Sequence, residues 1–107
     1  MFGITAVVGI TISAVGLIDY TPQEVTVETE LELGERIFNQ SCASCHGDNG
    51  EGKVGPALNE GRLVTKYPDP SDHETIVVNG RGAMPSFARQ LSSPEIEAVV
   101  AYERLAL

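Results

Sequence analysis

Residues 42–46 read Cys42-Ala43-Ser44-Cys45-His46, and this pentapeptide decides how the rest of the chain is to be folded. On a helical turn, positions i, i+3 and i+4 share one face, so both thiols and the imidazole are presented on the same side. Two thiols so placed can add to the vinyl groups of a haem, and a histidine directly after them can put a ring nitrogen on the iron. Two other uses of the motif are weaker. A redox dithiol wants a βαβ context that the surrounding pattern lacks, and a Cys2His2 zinc site would have to recruit His73, the only other histidine.

Working outward, the pattern from Leu31 to Cys45 is helical, with Leu33, Ile37 and Phe38 on an inward stripe and Glu32, Glu35 and Arg36 facing water. Residues 47–62 hold five of the eleven glycines and read as a loop. Ser71-Asp72-His73-Glu74 has the capping-box spacing and predicts a short helix through Val78 that stops at Gly80. Ser92 and Glu95 repeat that spacing before Ile96, Val99, Val100, Tyr102 and Leu105, which predicts a C-terminal helix. No run alternates as a strand would, so the fold class is all-α with long loops.

A second iron ligand is expected downstream in a loop, and Met84 is the only methionine outside position 1. It lies in Arg81-Gly82-Ala83-Met84-Pro85, where glycine and proline favour an irregular, stiff segment that can hold a thioether towards iron. A core methionine is the plainer use of such a residue. Arg62, Lys66, Tyr67 and Arg81 are candidate partners for the haem propionates, with solvated surface charge as the alternative for each.

From about Leu33 to Leu105 the chain resembles the class I cytochromes c of the small bacterial monohaem type. The resemblance rests on GERIFNQSCASCHG (34–47), GPAL (55–58), NGRGAMPSF (79–87) and LSSPEIEAVVAYERL (91–105), in that order. It implies a cytochrome c fold of three to four short helices around one covalent haem c held by Cys42 and Cys45. His46 and Met84 would be the axial ligands, with the Pro56 carbonyl accepting the other ring N–H of His46 and fixing its orientation. It also implies that the first and last helices cross through Gly34, Phe38, Val99 and Tyr102. The chain departs from the pattern at Glu103, where many relatives carry an aliphatic residue, and in lacking a lysine ring around the haem edge.

Residues 2–18 contain no charge and no proline. As a helix they would run about 25 Å, close to a hydrocarbon core of about 30 Å. The expectation is a transmembrane anchor at 1–18, with a signal peptide cleaved near Ala14-Val15-Gly16 as the alternative. Thr5, Gly9, Ser13 and Gly16 would form a small-residue stripe for docking on other transmembrane subunits. Residues 19–30 read as an acidic tether and 31–107 as the cytochrome domain. The expected location is therefore the cell membrane, single-pass and in contact with lipid, with the haem domain on the periplasmic side, where by the resemblance thioethers form.

The formal charge is −8, from seven Lys plus Arg against fifteen Asp plus Glu. Such a surface repels nucleic acid and steers a redox protein with a basic docking surface towards it. With both axial positions filled, the iron would have no vacancy for a substrate. The expected role is single-electron transfer between respiratory or photosynthetic partners as a subunit of a membrane complex, not catalysis. A haem enzyme or gas sensor with Met84 off the iron is the rival, and the sequence supplies no distal groups for it.

Overall fold

The computed structural model describes residues 27–107. Helix α1 spans Glu30–Ser41 and opens on a complete capping box. Thr29 Oγ1 accepts from the Glu32 amide at 3.1 Å, and the Glu32 carboxylate accepts from the Thr29 amide at 2.9 Å. Two of the orphan N–H groups at the helix start are thereby satisfied, so α1 begins one residue inside the expected tether. The bidentate pair of Arg36 with Glu28, at 3.0 Å on each arm, ties down the segment just before it.

The single helix expected from Leu31 to Cys45 is broken. Cys42 has φ −120° and ψ −36°, and a separate turn, α2, covers Ala43–His46. Helix α3, Arg62–Lys66, was not expected; it buries Leu63 and follows Gly61 in the left-handed region. Helix α4 spans Pro70–Asn79 and starts earlier than the Ser71/Glu74 spacing predicts. Asp69 caps it, its Oδ1 accepting from the Ser71 amide at 3.0 Å, and Pro70 occupies the first turn. An aspartate cap followed by a proline already set at the helical φ outcompetes the later serine. Helix α4 stops at Gly80 as predicted, at φ 78°. Helix α5 spans Ser93–Leu105 with the predicted Ser92/Glu95 capping box present in both arms. Among the described residues the only β pairing is an isolated bridge between Arg81 and Met84.

The core is built where α1 and α5 cross, the most extensive helix contact among the described residues. Ile37, Phe38, Cys42, Ala43 and Val99 form one buried cluster, and Val77, Phe87, Ile96 and Val100 form a second between α4, α5 and the loop. Phe38 and Tyr102 meet across the crossing with ring centroids 5.7 Å apart. Gly34 lets the helices approach: a Cβ there would collide with the Ala98 carbonyl oxygen and stand 2.6 Å from Tyr102 Cβ. Neither obstacle can swing away, since one is backbone and the other the root of a side chain. Gly34→Ala is therefore expected to destabilise the domain by about 3 kcal/mol despite alanine's better helix propensity. A denaturant titration showing unchanged or increased stability would mean that the two helices do not approach closely at Gly34.

The single-pass membrane expectation is corrected. No helix among the described residues is long and apolar enough to cross a membrane; the longest, α5, has thirteen residues and α1 has twelve. At about 1.5 Å per residue neither approaches the roughly 30 Å of a hydrocarbon core. The segment at 1–18 on which the anchor, its lipid contact, its small-residue stripe and the periplasmic orientation all rested lies outside the described residues.

Candidate functional site

The break at Cys42 turns α2 out of the line of α1, and its backbone is held by Cys45 and His46 amides that both donate to the Cys42 carbonyl, at 3.1 and 3.0 Å. Cys42 is buried and Cys45 exposed, and both line one cavity. Burial pushes the Cys42 thiol up to about 12, with the nearby charge and hydrogen bond of Glu103 adding to the rise. Neither cysteine is in a disulfide.

His46 Nδ1 lies 2.8 Å from the Pro56 carbonyl, the contact expected for orienting the ring. An acceptor there fixes the tautomer with the proton on Nδ1 and leaves Nε2 free to ligate. The loop that carries Pro56 is fastened directly to the motif: Gly52 N donates to His46 O at 2.7 Å and Gly55 N to Cys45 O at 2.6 Å. Gly55 lies flat against the imidazole, where a Cβ would be 2.9 Å from Cε1. That closeness explains why a glycine precedes the proline.

Met84 is held by a tight turn. Its amide donates to Arg81 O at 2.9 Å and its carbonyl accepts from Arg81 N at 3.0 Å, with Gly82 at φ 59° completing the reversal. Gly80 gives the turn room, since a Cβ there would stand 2.6 Å from the Met84 carbonyl oxygen. The side chain is half-buried and packs against the Val77, Phe87, Ile96 and Val100 cluster.

Cys42, Cys45, His46, Pro56 and Met84 all line one cavity of about 1220 Å³. Pockets for drug-sized ligands run roughly 300–1,000 Å³, so this one suits a large flat group such as a macrocycle. The donor set fits that group too: two thiols at one wall, an imidazole nitrogen turned inward and a thioether on a separate loop. The propionate candidates separate into two groups. Arg81 Nη1 donates to the Tyr67 hydroxyl at 2.8 Å and Lys66 Nζ sits 5.6 Å from that ring's centre, so these three stand together. Arg62 instead turns to Asn59 and Glu60.

His73 does not turn to the cysteines as a zinc site would require. Its Nε2 meets Glu103 Oε1 at 2.9 Å, with both side chains almost completely enclosed, and both line the same cavity. This pair was missed as a pair. Glu103 lies four residues after Val99 and seven after Ile96, on the buried stripe of α5, which was a signal that its carboxylate would be inside.

The chain is similar to proteins of one family. A family model described as cytochrome c oxidase, cbb3-type, subunit III, matches residues 29–102. Cytochrome c6 of Bryopsis maxima is 43% identical over 79 residues, covering 68% of this chain and 88% of that protein. Cytochrome c-551 of Bacillus subtilis is 45% identical over 58 residues, covering 54% of this chain, and the match spans about half of that protein, 49%. Among solved structures, cytochrome c6 from the diatom Phaeodactylum tricornutum superimposes with a TM-score of 0.60 at 31% identity, over 70% of this chain and 91% of that one.

Proposed function

The chain belongs to the cytochrome c family, and on that premise we propose that Cys42 and Cys45 hold its haem, that His46 and Met84 ligate the iron, and that Pro56 orients His46. The protein is an electron carrier with one covalent haem c, not an enzyme. Bound haem supplies a one-electron iron couple, and Met/His ligation raises its potential. The observation that carries the assignment is that His46 and Met84 line one cavity while each is pinned by backbone contacts of its own, at Pro56 and at Arg81. With both residues on the iron, no place would be left there for a substrate. Cys42 and Cys45, both on the lining of that cavity, would fix the haem's position.

The partners are redox proteins. The acidic balance of −8 favours those with a basic docking surface. In stopped-flow mixing at low ionic strength, the holoprotein should exchange electrons several-fold faster with a small cationic reagent than with an anionic one of equal driving force. The preference should shrink as salt rises, and the reduced protein should bind no carbon monoxide. Preference for the anion would remove the docking proposal, and ready carbon monoxide binding would remove the ligation proposal.

The description of the matching family model, an oxidase subunit, favours service within a respiratory assembly over free diffusion. Purification under mild conditions should then bring down other haem or copper subunits. Recovery as a lone monomer would leave the shuttle as the remaining reading.

A further inference from the structure

The His73–Glu103 pair has no part in attachment or ligation as proposed above. His73 is 4% and Glu103 5% exposed, on α4 and α5 respectively, and the pair shares the cavity with Cys42, His46 and Met84. Taking an ionisable pair out of water is expensive, and well-packed apolar residues in its place commonly leave stability unchanged or raise it. Stability is therefore a poor explanation for its presence. Among the described residues His73 Nδ1 is the one buried side-chain polar atom without a partner, and it belongs to a residue of the cavity wall.

The hydrogen bonding assigns the charge. With the Nε2 proton donated to Glu103, a neutral imidazole leaves only a lone pair at Nδ1, whereas an imidazolium would bury an unpaired N–H there. A carboxylate facing a neutral imidazole carries a net negative charge. The nearby arginines keep their charge but do not pair with the Glu103 carboxylate. Arg104, next to Glu103 on α5, donates to the carbonyls of Tyr67 and Pro68 at 2.7 and 3.1 Å, and Arg81 donates to the hydroxyl of Tyr67, whose ring lies 6.4 Å from that of His73. Cys42 lines the same cavity as Glu103, whose charge is, after burial, among the causes that raise the Cys42 thiol. A thioether at Cys42 has no proton to donate, so attachment leaves Glu103 with His73 as its partner.

We propose that Glu103 is a potential-setting residue: its enclosed carboxylate, held in place by His73, presents negative charge to the haem at the Cys42 side and favours the oxidised state. The inference rests on the proposed attachment at Cys42. Loss of an electron raises the positive charge on the haem iron by one unit, and a fixed anion in a poorly solvated wall stabilises that change. Coulomb's law with an effective dielectric of about 20 gives a bias of order tenfold for a unit charge acting over roughly 10 Å.

The test is a spectroelectrochemical titration of the holoprotein, comparing wild type, Glu103→Gln and the double variant His73→Leu/Glu103→Leu. The double variant leaves no unpaired polar group behind, so it should load and fold even if the glutamine variant does not. Both substitutions should favour reduction about tenfold, equivalent to about 59 mV for a one-electron couple. A midpoint that stays put or falls in variants with intact haem c spectra overturns the proposal, since a purely structural pair would alter the melting temperature and not the potential. Intact mass and the pyridine haemochrome of the wild type separate the two levels. If no haem is attached to this chain, the attachment reading fails and this inference with it; if haem is attached and the midpoint does not move, this inference alone fails.

Discussion

Replacing both Cys42 and Cys45 with alanine is expected to give a chain that loses haem on acid denaturation and has no cooperative thermal transition of its own. The cavity explains the second half of that expectation. The cavity of about 1220 Å³ is lined mainly by apolar side chains and opens to solvent, so without its occupant that apolar lining is wetted. A whole domain is stable by only about 5–15 kcal/mol, and losing that burial takes a large share of it. The cavity is filled, or the walls that α3, α4 and the Met84 loop contribute collapse inward. Covalent attachment keeps the filling group at the site through every unfolding excursion, so the alanine pair should lose it even when haem is supplied in excess. Circular dichroism melts with intact-mass measurement read both halves together. A cooperative melt at the wild-type temperature in a chain with no haem would sink the idea that the cofactor supplies the core.

The parts of this arrangement that were legible in the sequence are those fixed within a few residues of the chain. The Ser92/Glu95 cap and the stop at Gly80 each depend on neighbours three or four positions away, and each stands where the spacing placed it. Where local signals compete, spacing alone does not choose between them. Asp69-Pro70 and Ser71-x-x-Glu74 both describe helix starts two residues apart, and only the first is used. The five residues of α3 are too few to show a helical period, because one turn of apolar spacing cannot be told from chance. Contacts across the fold were harder again. His73 and Glu103 are thirty residues apart, and their pairing depends on how α4 packs on α5, which neither helix encodes alone. The Pro56 contact was expected from family resemblance, and His46 Nδ1 lies 2.8 Å from that carbonyl.

Met84→Leu should separate ligation from packing more sharply than removal of the side chain. Leucine keeps nearly the same apolar volume, so the contact with Val77, Phe87, Ile96 and Val100 survives and the stability change attributable to packing stays below about 1.5 kcal/mol. The turn itself is built from backbone bonds between Arg81 and Met84 with Gly82 at positive φ, none of which needs the sulfur. What leucine cannot do is donate to iron. If Met84 ligates, the variant should lose the sulfur-to-iron charge-transfer band and bind carbon monoxide when reduced. Its midpoint should fall by more than about 100 mV, a modest part of the roughly 0.8 V over which axial ligands set haem potentials. Glu103 and Met84 would then act in opposite directions, the thioether favouring the reduced iron and the carboxylate the oxidised one. Their substitutions should shift the midpoint with opposite signs, a pattern that general loosening of the pocket would not produce. If the leucine variant keeps its midpoint and excludes carbon monoxide, Met84 is a packing residue, and the sixth position must be filled by another group of the cavity wall.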